Sequence, residues 1–380
     1  MKAHEARGNG SRDRARITSP WMPGAPTERL NGLDGLRALA VGLVILTHFG
    51  AGALFRADTT MRAVVESLGV GGVDVFFTIS GLLITHLILV EEDREGRVFL
   101  GLFYGRRAVR ILPPAYAYFA VLAILTALGH ANVTWPDLAR CATFVRNWNP
   151  YSSAQTAHIW SLSIEEQFYL FWPATLWVVR SRKTRIWIAA ILVLLAPIYQ
   201  IIVLGFFSAQ IPYPMMVGRT DFHYLPILSG CLLALALHTE RGARWLGSRL
   251  LLSYPALFVS IAVVLAYWAS PYLGAWTAIG MFFQSVAIVV GINFVVQRSD
   301  SRVSDLLNSR PLVMLGKMSF SVYLWQQLFS KVHWDPWIPA MAPSVVREFP
   351  LNVVMTGILA FLSWNLIERP LQKVRARLRP

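Results

Sequence analysis

Several polar residues stand inside long apolar stretches, where an ionisable group is costly to hold and therefore marks a functional candidate. His48 lies in LDGLRALAVGLVILTHFG, residues 33–50, eleven positions after Arg37. At 3.6 residues per turn the two share a helix face, roughly 16 Å apart along the axis. An imidazole at that depth can act as a general base, or it can be a structural histidine bonded to a neighbouring helix. Asp74, in GGVDVFFTISGLLIT over 71–85, lies at a compatible depth. Its carboxylate can hold one ring nitrogen of His48 and leave the other basic, or it can serve its own helix dipole. Ser80 and Gly81 read as close-packing residues. Glu165 and Glu166 follow in HIWSLSIEEQFYLFWP, residues 158–173. Adjacent helical residues point about 100° apart, so only one of these carboxylates faces a given site. Ser161, Glu165, Phe168 and Trp172 form one face.

A second kind of chemistry is suggested by FYGRRAVRILPPAY, residues 103–116. Arg107 and Arg110 are three apart and share a helix face, with Arg106 beside them. Guanidinium groups bind phosphates through forked hydrogen bonds, and they also anchor helices to anionic lipid. Pro113 and Pro114 predict a kinked helix start that aims the cluster. Polar groups recur at Arg219, Asp221 and His223, in GKMSFSVYLWQQLF over 316–329, and in IERPLQK over 367–373. In the last of these, Glu368 and Arg369 read as a structural ion pair.

These residues need helices to position them, and the sequence supplies about ten apolar runs near the length that spans a bilayer. They fall at about 33–54, 69–90, 111–129, 160–179, 186–206, 222–238, 251–269, 272–296, 312–330 and 350–367. The sixth is short, and Pro226 inside it predicts a break or tilt. Of the 35 Lys and Arg, 26 fall in alternate connecting segments and 7 in the intervening ones, Arg37 and Lys317 lying within spans. Cytoplasmic segments collect Lys and Arg, so the alternation places both termini in the cytoplasm. The fold class expected is an all-α polytopic helix bundle in the bacterial inner membrane. The net charge of +14 follows from this topology and needs no nucleic acid. Only 15% of residues are charged and mean hydropathy is +0.48, which excludes an ordinary soluble domain.

Cys141 and Cys231 have neither disulfide nor metal-ligand spacing, and no metal is expected. Residues 1–30 are basic, hold no apolar run of signal-peptide length and read as a disordered cytoplasmic tail. The first span then serves as an uncleaved anchor. The membrane domain runs from 31 to 373, and 374–380 forms a second basic cytoplasmic tail.

Taken in order, the motifs resemble the membrane acyltransferase-3 family over about 31–373. They are LDGLRA followed by ten residues and His, GVDVFF with SG, Arg-x-x-Arg, H-x-WSLSIEEQFYLFWP, RTD, SFSVYLW and IERP. Family members O-acylate sugars and other hydroxylated compounds. The resemblance implies a ten-helix bundle, His48 as the catalytic residue, Arg107 and Arg110 near acyl-CoA, and Glu165 in the active site. Two positions depart from it. Many members carry His where this chain has Gln326, and an Arg-x-Asp where it has His223 and Leu225. Some members carry a further hydrolase-like domain, and none is expected in these 380 residues.

The expected catalytic set is therefore His48, Glu165 and Asp74. Arg37, Arg106, Arg107 and Arg110 are expected to hold the donor, and His158, Trp160, Ser163, Arg219, Asp221 and Tyr323 the acceptor. No cofactor is expected to be permanently bound, and acyl-CoA, as acetyl-CoA, is the co-substrate. Membrane lipids and a hydroxylated acceptor are the other partners, and the sequence sets no oligomeric state. Three functions compete: O-acylation of a surface or lipid-linked glycan, O-acylation of a small-molecule hydroxyl, and ion-coupled transport. The sequence shows no internal repeat, which counts against transport.

Overall fold

The computed structural model describes residues 30, 32–50, 60–149, 153–207, 219–269, 275–330 and 348–378. The basic stretch 1–29, and the ends of several expected spans, lie outside them. Every regular element described is helical. In chain order these are α1 (Leu33–Ile45), α2 (Thr60–Glu95), α3 (Leu100–Ala127), α4 (Trp135–Ala142), α5 (Ile159–Val178) and α6 (Arg182–Phe207). There follow α7 (Thr220–Leu237), α8 (Glu240–Leu246), α9 (Tyr254–Trp268), α10 (Ala275–Gln297) and α11 (Arg302–Leu307), then α12 (Arg310–Trp325), α13 (Leu351–Ser363) and α14 (Arg369–Arg377). Two π-turns, Leu46–Gly50 and Trp364–Glu368, continue α1 and α13 and carry His48 and Glu368.

Six helical stretches among the described residues are long and apolar enough to cross a membrane: Ser67–Glu95, Leu100–Ala127, Arg182–Phe206, Thr220–Leu237, Thr277–Gln297 and Leu351–Arg377. The other four expected spans are occupied by α1, α5, α9 and α12. The outside of the bundle is apolar, with Trp187, Leu194, Phe206, Phe258 and Phe361 all exposed. Its inside is where Asp74, His158, Gln200, His223, Gln284 and Gln326 are buried. That inversion is what a lipid solvent selects.

Two expected boundaries move. The second helix begins at 60 rather than 69, and the third at 100 rather than 111. Arg106, Arg107 and Arg110 therefore sit within α3 and not in a loop before it. Pro113 and Pro114 lie inside an uninterrupted helix. Membrane helices tolerate such prolines because neighbouring groups satisfy the freed carbonyls. Pro226 shows how, since α7 neither breaks there nor ends. The carbonyl that its missing N–H would have paired belongs to Phe222. That carbonyl accepts from Gln200 Nε2 at 3.1 Å.

The central helices approach through glycine. A Cβ on Gly81 of α2 would strike the Ile227 carbonyl, and one on Gly230 of α7 the Thr78 carbonyl. A Cβ on Gly316 of α12 would strike the Asp34 carbonyl of α1. Without Cβ atoms the backbones close up and dispersion contacts replace the absent hydrophobic drive.

At 36 residues, α2 is about 54 Å long and exceeds the bilayer core, about 30 Å thick. Three consecutive acids in its last turns each bind a different arginine. Glu91 meets Arg106 at 2.5 Å, Glu92 takes both Arg185 nitrogens at 2.5 and 2.9 Å, and Asp93 pairs with Arg182. Arg185 is 1% exposed. Arg106, Arg182 and Arg185 thus clamp α3 and α6 to α2.

Candidate active site

A cavity of about 90 Å³, open to one side, lies between α1, α2, α3, α5 and α12. Arg37, Arg107 and Arg110 line one end. Ser80, Glu165 and Tyr169 line the wall, and Ser161, Phe77 and Tyr323 the other end. Three helices separated in sequence, α1, α3 and α5, therefore deliver three of the expected donor-side charges and one carboxylate to one space.

The arginine end is crowded. Arg37, Arg107 and Arg375 surround the Arg110 guanidinium, and Glu368 faces it. Arg107 lies flat over the Tyr169 ring, 3.8 Å from its centroid, and its Nε has no hydrogen-bond partner. Arg37 is 3.4 Å from Asp34. Arg375 arrives because α14 packs across the start of α3, where the Leu378 carbonyl accepts from Arg106 at 2.9 Å. Arg375 is one turn before Leu378 and on the same face. Nothing in the sequence separates it from the other basic residues of the C-terminal tail.

Arg106 does not belong to this cluster. Its guanidinium is taken by Glu91 and Leu378. One residue along a helix turns the side chain about 100°, which carries Arg106 off the Arg107–Arg110 face. The expected Glu368–Arg369 pair is also absent. Glu368 accepts from Ser321 and faces Arg110, while Arg369 reaches Asn365 and the Trp364 ring.

Glu165 faces the cavity and accepts from Ser80 Oγ at 2.5 Å. Ser80 is thus a site residue as well as a neighbour of the close-packed Gly81. Glu166 points about 100° away, and its Oε1 is buried without a partner in the field of Arg107.

The inner end is closed by a hydrogen-bonded pair. Ser161 Oγ and Tyr323 Oη lie 2.5 Å apart, and both reach the His158 carbonyl, at 3.2 and 2.8 Å. One turn further lies a second polar layer. His158 precedes Ser161 by three residues and Gln326 follows Tyr323 by three, a step of about 5 Å on each helix. His48 sits in this layer beside Gln326 and His158. His158 Nε2 is 3.1 Å from the Leu324 carbonyl. His48 Nδ1, His158 Nδ1 and both amide atoms of Gln326 are buried with no partner among the described residues. Residues 153–158 fold over this layer, where the Gln155 carbonyl accepts from Tyr118 Oη at 2.6 Å and the Ala154 carbonyl from Gln327 Nε2 at 2.8 Å.

Asp74 is not the partner of His48. It meets His223 Nδ1 at 3.3 Å and accepts from Gln284 Nε2 at 2.8 Å. The face of α2 against α1 is set by Gly69, which abuts Thr47, and Gly72, which abuts Ala40. Asp74 is two residues beyond Gly72, about 200° round the helix, and so turns toward α7 and α10. Glu165 is seven residues along α5 from His158, about 10 Å, and serves the cavity wall instead of the imidazole.

The remaining expected acceptor residues scatter. Trp160 lies tilted against His223 with centroids 4.7 Å apart, and meets Phe77 edge-on. Ser163 is buried and donates to the Ile159 carbonyl of its own helix at 2.9 Å. Arg219 and Asp221 bind each other and Tyr199, outside the cavity lining. A small hydroxyl one turn from a helical carbonyl bonds that carbonyl readily, which is why Ser163 turns inward.

Cysteine chemistry is excluded at Cys141. Burial pushes its thiol up to about 12, so it stays protonated at neutral pH. Among the described residues no group of three His, Cys, Asp or Glu could hold a metal ion.

Comparison with known proteins agrees with this architecture. The acyltransferase-3 family, described as an acyltransferase domain, matches residues 30–368. The chain is 27% identical over 361 residues to the O-acetyltransferase OatA of Staphylococcus aureus, covering 90% of this chain and 57% of that protein. It is 28% identical over 362 residues to the peptidoglycan O-acetyltransferase OatA of Listeria monocytogenes, covering 90% of this chain and 55% of that protein. The chain thus spans a little over half the length of these relatives. No solved structure gives a significant match.

Proposed function

Because the chain belongs to the acyltransferase-3 family and is a multi-pass membrane protein, we propose that it moves an acetyl group from acetyl-CoA to a hydroxyl of a cell-surface or lipid-linked glycan. One observation carries this. A single cavity runs from the clustered Arg37, Arg107 and Arg110 guanidinium groups, suited to the phosphates of a nucleotide, to the layer beside His48, whose Nδ1 has no partner among the described residues. Acetyl-CoA enters at the arginine end. Its arm passes Glu165 and Ser80, and the thioester crosses the Ser161–Tyr323 layer to reach His48. A hydroxyl arrives from the opposite side. His48 takes its proton as the oxygen attacks the thioester carbonyl. The glycan acceptor follows the relatives named above, and family membership gives the transport reading no support.

The expected result is label moving from acetyl-CoA to a muropeptide or lipid-linked glycan hydroxyl in proteoliposomes holding the purified protein. Label passing only to a small soluble alcohol would replace the glycan by a small-molecule acceptor. Label passing to no hydroxyl would defeat the assignment.

The proposal requires the arginine end to face the cytoplasm. We read ten membrane-crossing segments with both termini cytoplasmic, on the 26-to-7 charge alternation. Reporter fusions between α2 and α3 should therefore report cytoplasm, and fusions between α3 and α4 the opposite side. A fusion in the α2–α3 connection that reports the outside would overturn the donor route.

A further inference from the structure

Gln326 is the position where this chain departs from the histidine of many relatives, and its surroundings give the side chain a task. It is 0% exposed, and neither Nε2 nor Oε1 has a hydrogen-bond partner among the described residues. Buried amides in folded proteins are almost always paired. It stands at the first residue of the short 3-10 segment Gln326–Phe329 that ends α12. It lies one turn beyond Tyr323, and its amide interacts with the His48 ring without meeting the geometry of a full hydrogen bond. His48 Nδ1, His158 Nδ1 and Trp325 Nε1 are likewise buried and unpartnered. Tyr118 stands edge-on to both His158 and Trp325, at 5.4 and 5.5 Å, so these orphaned groups occupy one small volume. A set of unpaired donors and acceptors around a candidate base suits a reacting group that passes through tetrahedral geometry.

We propose that Gln326 donates its Nε2–H to the oxyanion formed when the acceptor hydroxyl attacks the thioester at His48. This rests on the acetyl-transfer function proposed above. The acceptor oxygen bonds to the carbonyl carbon while its proton passes to His48. The carbonyl π pair moves onto oxygen, and the Gln326 amide N–H meets that charge. The C–S bond then breaks, the new ester C–O bond remains, and sulfur leaves with the proton held by His48. Nothing is oxidised or reduced. A primary amide suits the task because it carries a donor and an acceptor at every pH. Its Oε1 is then free to accept from the imidazolium. In a dry interior a pre-aimed neutral donor stabilises developing charge more strongly than water does.

The test compares Gln326→Met, which keeps the length and removes the donor, with Gln326→Glu and Gln326→His. Acetyl transfer by Gln326→Met should fall about 10²–10³-fold in kcat, as for loss of one oxyanion donor. Its Kd for acetyl-CoA should stay near wild type, which also shows that the variant folds. Gln326→Glu should fall as far, since a carboxylate only accepts. Gln326→His should recover part of the rate through its ring N–H. Gln326→Met turning over within a few-fold of wild type would overturn the role, as would Met and Glu variants that have both lost donor binding. Wild-type protein that binds acetyl-CoA but acetylates no hydroxyl would instead sink the functional assignment and this role with it.

Discussion

His48→Ala is expected to lower acetyl transfer by about 10²–10⁴-fold, the range for loss of a general base, while leaving acetyl-CoA binding near wild type. The two effects separate because His48 lies one layer beyond the cavity that carries the arginines. Its Nδ1 makes no hydrogen bond among the described residues, so truncation removes only the ring's contacts with Gln326 and the Val44 backbone. A modest stability loss should accompany the substitution. Two measurements decide the result. Turnover within a few-fold of wild type would make His48 structural and move the base to His158, the other orphaned imidazole in the layer. Labelled protein formed from acetyl-CoA without acceptor, and lost in His48→Ala, would keep His48 but replace direct transfer by an acetyl-histidine intermediate.

The second large effect is expected at the opposite end of the cavity. Arg107→Ala and Arg110→Ala should each weaken acetyl-CoA binding by roughly 10–150-fold, corresponding to about 1.5–3 kcal/mol for a lost charge-assisted contact. The double variant should fall short of the product, because the two guanidinium groups share one site and one ligand. Arg107→Lys should recover only part of the loss. An ammonium keeps the charge but has no planar fork and stacks less well on Tyr169. Arg107→Ala also removes the stronger of the two guanidinium charges opposing buried Glu166, leaving Arg110, so expression and thermal stability must be measured alongside binding. If both alanine variants bind acetyl-CoA as wild type does, the cluster anchors lipid headgroups and the donor enters elsewhere. Arg106→Ala offers an internal contrast. It should leave donor affinity unchanged and loosen the junction of α2, α3 and α14, because Glu91 and Leu378 hold that side chain.

The helix content and approximate helix positions follow from hydropathy alone. A bilayer offers no partner to an open backbone, so apolar runs of sufficient length become helices whatever their neighbours are. The same one-dimensional information marks the charges worth attention. Arg37, Arg107, Arg110, Glu165 and Tyr323 are each costly where they lie, and all line one cavity. Helical spacing is enough to separate Arg107 and Arg110 from Arg106, and Glu165 from Glu166, once the helix is known to begin at Leu100 rather than near 111. What spacing cannot supply is the rotation of one helix against another. Asp74 turns to His223 and Gln284 because Gly69 and Gly72 commit the other side of α2 to α1. Ser80, Tyr169, Gln326 and Arg375 become site residues only through packing. Each joins a site residue that lies tens to hundreds of positions away, or, for Tyr169, shares Arg107 as a partner. The sequence by itself determined which side chains are too expensive to bury without purpose. Only the tertiary structure decided which of them satisfy one another and which atoms, at His48 Nδ1 and the Gln326 amide, have no partner among the described residues.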